Sequence, residues 1–151
     1  PANVAQYINM YKHMAIAEMK RTGIPASITL GQGIVESKWG QSSLATEGHN
    51  HFGVKCGSTW KGDRMYRHDD EYDSKGRKKK SAFRKYTDPE EGFKDHSEFL
   101  KRPLYKRLFT YGRNYVKWAV GLKACGYASA KDYDKTLIRN IELYKLYQYD
   151  K

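Results

Sequence analysis

Glu36 sits in the run Gly33-Ile34-Val35-Glu36-Ser37-Lys38-Trp39-Gly40, where an apolar helical stretch ends and a tryptophan follows at once. A carboxyl group at such a place has an apolar side, which favours its protonated form, and an aromatic neighbour that offers a flat face to a pyranose ring. That combination suits a proton donor in sugar chemistry. A second acid stands out in Asp69-Asp70-Glu71-Tyr72, beside a turn signal at Asp73-Ser74-Lys75-Gly76. Glycosidic bond hydrolysis usually employs two carboxyl groups, one protonated and one ionised, on either side of the scissile bond. Glu36 and Glu71, with Asp70 as the alternative to Glu71, are the candidates for that pair.

The elements that must hold them follow from periodicity. Val4, Tyr7, Ile8, Tyr11, Ala15 and Met19 recur at helical steps and predict a helix over about 3–22, opened by Asn3 with Gln6 and stopped by Gly23. A second helix over about 26–37 is apolar nearly all round, which marks it as central. Its Gly31 and Gly33 cost about 1 kcal/mol each in propensity, so they predict close packing against other helices. Ser42 caps a short turn through Ala45. From Gly48 to Tyr86 helical periodicity gives way to short β-type pieces at 57–60, 65–67 and 81–86. Asp88-Pro89-Glu90-Glu91 restarts a helix with a cap, a first-turn proline and an acid. Helical stretches at about 103–110 and 115–124 follow. A last helix opened by Ser129 with Asp132 carries Tyr133, Leu137, Ile141 and Tyr144 on one stripe. The expected fold class is α+β, mainly α: a single domain over 1–151 with a β-hairpin lobe, about 53–86, inserted between helical halves.

With 151 residues the chain is long enough for one domain with a real core. Lys and Arg number 28 against 17 Asp and Glu, a net +11 that suits an anionic partner: nucleic acid, membrane surface or wall polymer. Thirteen tyrosines, three tryptophans and five phenylalanines favour flat polar ligands. No apolar run approaches the roughly 20 residues of a membrane span. A signal peptide is absent from the sequence, which begins at Pro1 and reads as a mature or excised fragment. Cys56 and Cys125 form no metal-type pair, and free thiols are expected, with Cys125 buried in a helix.

The motifs above, with His49-Asn50-His51-Phe52-Gly53-Val54-Lys55, Phe83-Arg84-Lys85-Tyr86, Glu91-Gly92-Phe93-Lys94-Asp95-His96 and Gly126-Tyr127-Ala128-Ser129, resemble glycoside hydrolase family 73. These are bacterial peptidoglycan N-acetylglucosaminidases of the flagellar rod and autolysin types, and the motifs run in family order over about 24–150. The resemblance implies a lysozyme-like helical body with a β lobe flanking a substrate groove. It implies hydrolysis of the β-1,4 bond between N-acetylglucosamine and N-acetylmuramic acid, with Glu36 as general acid and Glu71 as the second carboxylate. Trp39, Asn50, Phe52, Asp70, Asp95 and Tyr127 are the expected substrate-binding residues. The lobe carboxylate acts as base in one mechanism; in the other, the substrate's own 2-acetamido group attacks. Lys38 stands where the family usually has glycine, and His49 and His51 where asparagine and leucine are common.

No metal or cofactor is expected, because the pair His49 and His51 lacks a third ligand. The partner is the peptidoglycan glycan strand, met by a monomer outside the cytoplasm: secreted, periplasmic or in the cell envelope. Two other classes fit parts of the pattern. A non-catalytic wall-glycan module would bind without producing new reducing ends. A nucleic-acid binder would explain +11 and the aromatic richness but lacks a recognition motif. For single residues, His49 and His51 read as groove-lining loop histidines, Trp60 as either core or sugar platform, and Arg77 to Lys80 as a solvated hairpin tip drawn to anionic polymer.

Overall fold

A computed structural model describes the backbone of residues 1–151 and the side chains of all but residues 69–71. The chain order is α1 (Val4–Thr22), α2 (Ala26–Ser37), α3 (Ser43–Gly48), β1 (Asp63–Tyr72), β2 (Lys78–Lys85), α4 (Pro89–Leu100), a 3₁₀ segment (Pro103–Tyr111), α5 (Tyr115–Ala124), α6 (Tyr133–Leu143) and a 3₁₀ turn (Leu146–Tyr149). It is the expected helical body with one antiparallel hairpin inserted between α3 and α4.

α2 is the axle. It touches α1, α5, α6 and the C-terminal 3₁₀ turn, and all of its residues except Val35 and Glu36 are buried. Its two glycines make this possible. A Cβ on Gly31 would stand 2.8 Å from Leu137 of α6, and one on Gly33 would stand 2.3 Å from the Tyr7 hydroxyl of α1. Real Cβ atoms do not come so close, so any larger residue would push α2 off its neighbours. Pro25 precedes α2 and offers no side-chain cap. Asp150, far along the chain, supplies one: its carboxylate accepts from the Ser27 amide at 2.8 Å and from the Ser27 hydroxyl at 2.6 Å. A negative group at a helix N-terminus satisfies free amides and complements the helix dipole.

The other caps follow the sequence in most cases. Asn3, Ser42 and Asp88 accept from Gln6, Ala45 and Glu91, and Gly23 closes α1 in the left-handed conformation. α6 differs. Asp132 occupies its N-cap but makes no side-chain cap bond, and Ser129 is exposed, so the expected Ser129–Asp132 start is not formed. The 103–111 stretch is 3₁₀ rather than α. Tyr105, Leu108 and Tyr111 explain this: spaced by three, they share one face only in a helix of three residues per turn.

In the hairpin, Asp63 pairs with Lys85, Met65 with Phe83 and His68 with Lys80, and Tyr72 pairs with Lys78. The turn is closed by Asp73, whose carboxylate accepts from the Lys75 and Arg77 amides, as the Asp-Ser-Lys-Gly signal predicts. Met65 and Phe83 form the buried face, and Met65 packs so tightly on Gly48 that a Cβ there would meet its sulfur at 2.3 Å. Residues 57–60, expected as a strand piece, form a turn instead, while Lys55 bridges to Phe83. Both cysteines are free thiols; Cys56 is the buried one, and Cys125 caps the C-terminus of α5 half-buried.

Candidate active site

Glu36 occupies the last turn of α2, exposed, on an otherwise buried helix. The chain then turns sharply. Lys38 and Trp39 both take positive φ (53° and 46°), followed by Gly40 at 82°. Two consecutive non-glycine residues in the left-handed region cost roughly 1–2 kcal/mol each, and such strain persists only where the surroundings hold it. Ser37 does so. Its hydroxyl donates to the Gly33 carbonyl and accepts from the Gly40 amide at 2.7 Å, while the Trp39 amide bonds back to Ile34. Lys38, which replaces the usual glycine, is thus at a position where glycine is the easier residue. The turn places the Trp39 ring half-buried against the core beside Glu36.

Beyond Glu36 the wall is tyrosine. The Tyr133 hydroxyl is within hydrogen-bonding reach of the Glu36 carboxylate, and burial and that anion hold its pKa well above the usual phenol value. Tyr127 stacks on Tyr133 at 5.8 Å and meets Tyr105 edge-on at 6.0 Å. Its pKa is raised too, by burial first, then by Tyr133 and Glu36, with a smaller effect from Tyr86. Both phenols therefore remain hydrogen-bond donors at any physiological pH. The fold brings Glu36, Tyr133 and Tyr127 together, although periodicity marked Tyr133 only as a stripe residue of the last helix.

Next to them a second polar cluster ties the hairpin to α4. Asp95 accepts from Arg84 Nη1 at 2.9 Å and from the Tyr86 hydroxyl at 2.5 Å. Arg84 also donates to the Lys55 carbonyl and lies 4.8 Å above the Trp60 ring. Trp60 in turn meets Tyr86 edge-on and donates to the Asp63 carbonyl. Asp95 and Trp60 therefore work first as the lock at the base of the lobe. Arg84 and Tyr86 belong to the Phe83-to-Tyr86 motif, to which the sequence assigned no role in the site.

The Asn50 and Phe52 side chains lie inside. Asn50 donates to the carbonyls of Val54 and Arg84 and accepts from the Val54 amide, which uses its whole amide on backbone. Phe52 stacks on His96 at 3.8 Å. His51 does not line a groove: it is buried among Tyr7, Tyr11 and Phe93, with Nδ1 2.7 Å from the Tyr7 hydroxyl, and its pKa is lowered to about 4, mainly by burial. Asp70 and Glu71 lie outside the described side chains; the strand that carries them is β1. Among the described residues no three His, Cys, Asp or Glu side chains group as a metal site. A hollow of about 370 Å³ against α1 and α4, lined by His13, Met14 and Lys94 among others, contains none of the candidate residues.

A family profile described as mannosyl-glycoprotein endo-beta-N-acetylglucosaminidase matches residues 12–146. The chain belongs to the glucosaminidase family, glycoside hydrolase family 73. It is similar to the exo-glucosaminidase LytG of Bacillus subtilis, 37% identical over 132 residues that cover 82% of this chain and 45% of LytG. The peptidoglycan hydrolase FlgJ of Salmonella typhimurium is 30% identical over 83% of this chain and 42% of its own length. The chain thus spans less than half of these relatives. Among solved structures, the catalytic domain of the autolysin Auto from Listeria monocytogenes superposes with a TM-score of 0.86 at 25% identity, covering 99% of this chain and 89% of that one. The glycoside hydrolase domain of Salmonella FlgJ superposes with a TM-score of 0.76 at 28% identity, covering 95% and 89%. These glucosaminidase neighbours share the lysozyme-like body with a small sheet.

Proposed function

We propose that this glucosaminidase domain hydrolyses the β-1,4 bond between N-acetylglucosamine and N-acetylmuramic acid within peptidoglycan strands. The observation that carries the reading is the placement of Glu36: a solvent-facing carboxyl at the end of the buried central helix, held by Tyr133 and flanked by Trp39. In this reading Glu36 gives its proton to the glycosidic oxygen as the bond from the anomeric carbon breaks. Positive charge then grows on the sugar ring. Glu71 is the second carboxylate, with Asp70 as its alternative. It activates a water for attack, or it stabilises the charge while the 2-acetamido oxygen attacks. Glu36, now ionised, can take the proton from water where the attack is assisted in this way.

Trp39 and Tyr127 supply faces for the sugar rings. Asp95, Asn50 and Phe52 support the reaction by position: Asp95 locks the lobe, Asn50 pins the 50–54 loop to β2, and Phe52 backs His96. The +11 charge draws the domain to an anionic wall outside the cytoplasm. No helix among the described residues is long and apolar enough to cross a membrane.

Mass spectrometry of products from purified peptidoglycan tests the proposal. New reducing N-acetylglucosamine ends on internal fragments support it. Reducing N-acetylmuramic acid ends would make the domain a muramidase, release of terminal monosaccharides alone would make it exo-acting, and tight binding without new ends would make it a glycan-binding module.

A further inference from the structure

α2 carries one amide side chain, Gln32, one helical turn before Glu36. Residues four apart share a helix face. Gln32 is completely buried, and both ends of its amide are used. Its Oε1 is 2.9 Å from Nε2 of His96 on α4, and its Nε2 donates to the Tyr133 hydroxyl oxygen on α6 at 3.0 Å. His96 is itself completely buried, and burial alone pushes its pKa down to about 3, so the ring is neutral. A neutral imidazole carries one ring hydrogen. With Gln32 Oε1 as its partner, that hydrogen is on Nε2, and Nδ1 has no hydrogen-bond partner.

The direction of every bond then follows. His96 donates to Gln32 and Gln32 donates to Tyr133, so the hydroxyl oxygen accepts on the Gln32 side and the phenol keeps its own hydrogen to donate to the nearby Glu36 carboxylate. The stack of Phe52 on His96 at 3.8 Å fixes the far end of the chain. A buried glutamine and a buried histidine with one idle nitrogen cost stability that apolar residues of similar volume would not. The chain they build ends on the carboxyl that the central helix presents.

We infer that Gln32 and His96 are positioning residues for Glu36: through Tyr133 they fix the orientation of the carboxyl that the central helix presents to the glycosidic oxygen. This rests on the reading of Glu36 as the proton donor. Three variants and a double-mutant cycle test it, with kcat, KM and melting temperature measured on purified peptidoglycan. Gln32→Met keeps volume and removes both bonds. Gln32→Glu keeps shape but accepts from both neighbours, so the Tyr133 hydrogen turns away from Glu36. Each is expected to lower kcat by about tenfold or more with KM within about twofold, because a misdirected catalytic group loses rate rather than binding. Tyr133→Phe should do the same. Added to Tyr133→Phe, Gln32→Met should lower kcat by less than about twofold more, since the link is already cut.

A Gln32→Met protein with a lowered melting temperature and wild-type kcat overturns the inference, as does a cycle in which the two effects multiply in full. If Gln32→Met does not fold, Gln32→Glu and Tyr133→Phe decide, and wild-type kcat in both overturns it. Glu36→Gln in the same assay separates the two levels. A fully active Glu36→Gln sinks the role of Glu36 itself; an inactive Glu36→Gln beside an unimpaired Gln32→Met sinks the positioning chain alone.

Discussion

Acidification should destabilise this fold well before its carboxylates are protonated. His51 and His96 are both buried, and their pKa values are lowered to about 4 and about 3, by burial first in each case. In the unfolded chain both return to about 6.5. A folded-state pKa below the unfolded one means that the unfolded state binds protons more readily on the acid side. The contribution to stability is therefore complete above pH 6.5 and falls as pH drops through 6.5 toward 4. Each pH unit below 6.5 costs about 1.4 kcal/mol per histidine until the folded-state value is reached. At pH 5 this gives about 2 kcal/mol each and about 4 kcal/mol together, a large part of a typical total of roughly 5–15 kcal/mol. Asp150 works in the opposite sense, since burial raises its pKa and lets the folded state take up a proton earlier as pH falls. Denaturant unfolding at pH 7 and pH 5 measures the difference, and thermal melts should show a drop on the order of 10 °C. His96→Leu should remove about half of the pH dependence, whatever it does to stability at pH 7. Equal stability at the two pH values would refute the claim that both rings are buried and neutral.

Two further outcomes follow from the packing. Gly33→Ala brings a Cβ to 2.3 Å from the buried Tyr7 hydroxyl, which is itself bonded to His51, and should cost about 2 kcal/mol net of the helix propensity gained; a thermal melt unchanged or raised would contradict the close approach of α1 and α2. Arg84→Met breaks the largely buried pair with Asp95 and two links from the lobe, so it should cost about 3 kcal/mol and expose the lobe base to proteolysis; wild-type stability and wild-type cleavage would contradict the role of Arg84 as the lock.

Local signals in the sequence carried much of the architecture. The apolar face of α1, the glycines of α2, the Asp88-Pro89 start and the Asp73 turn are each written in a few adjacent residues, and the structure forms them as read. The Glu36-to-Trp39 turn was legible for the same reason. What escaped was long-range. The Gln32 amide is joined to residues 64 and 101 positions away, and Tyr7 to a histidine 44 away. No periodicity reports such pairings, so His51 read as a groove residue, while the family resemblance offered Asn50 and Phe52, whose side chains lie inside, as sugar contacts. One local cue did exist: a glutamine inside an apolar run, one turn from Glu36. Ser129 and Asp132 show the converse error, a cap pattern that the fold does not use.

The central claim is that the proton comes from Glu36. The release of new reducing ends from purified cell walls by Glu36→Gln, which keeps the shape and removes the acid, tests it most directly. Loss of a transferred proton should lower the rate by about 100-fold or more, with melting temperature and wall binding close to wild type. A Glu36→Gln protein that releases reducing ends at the wild-type rate would contradict the account.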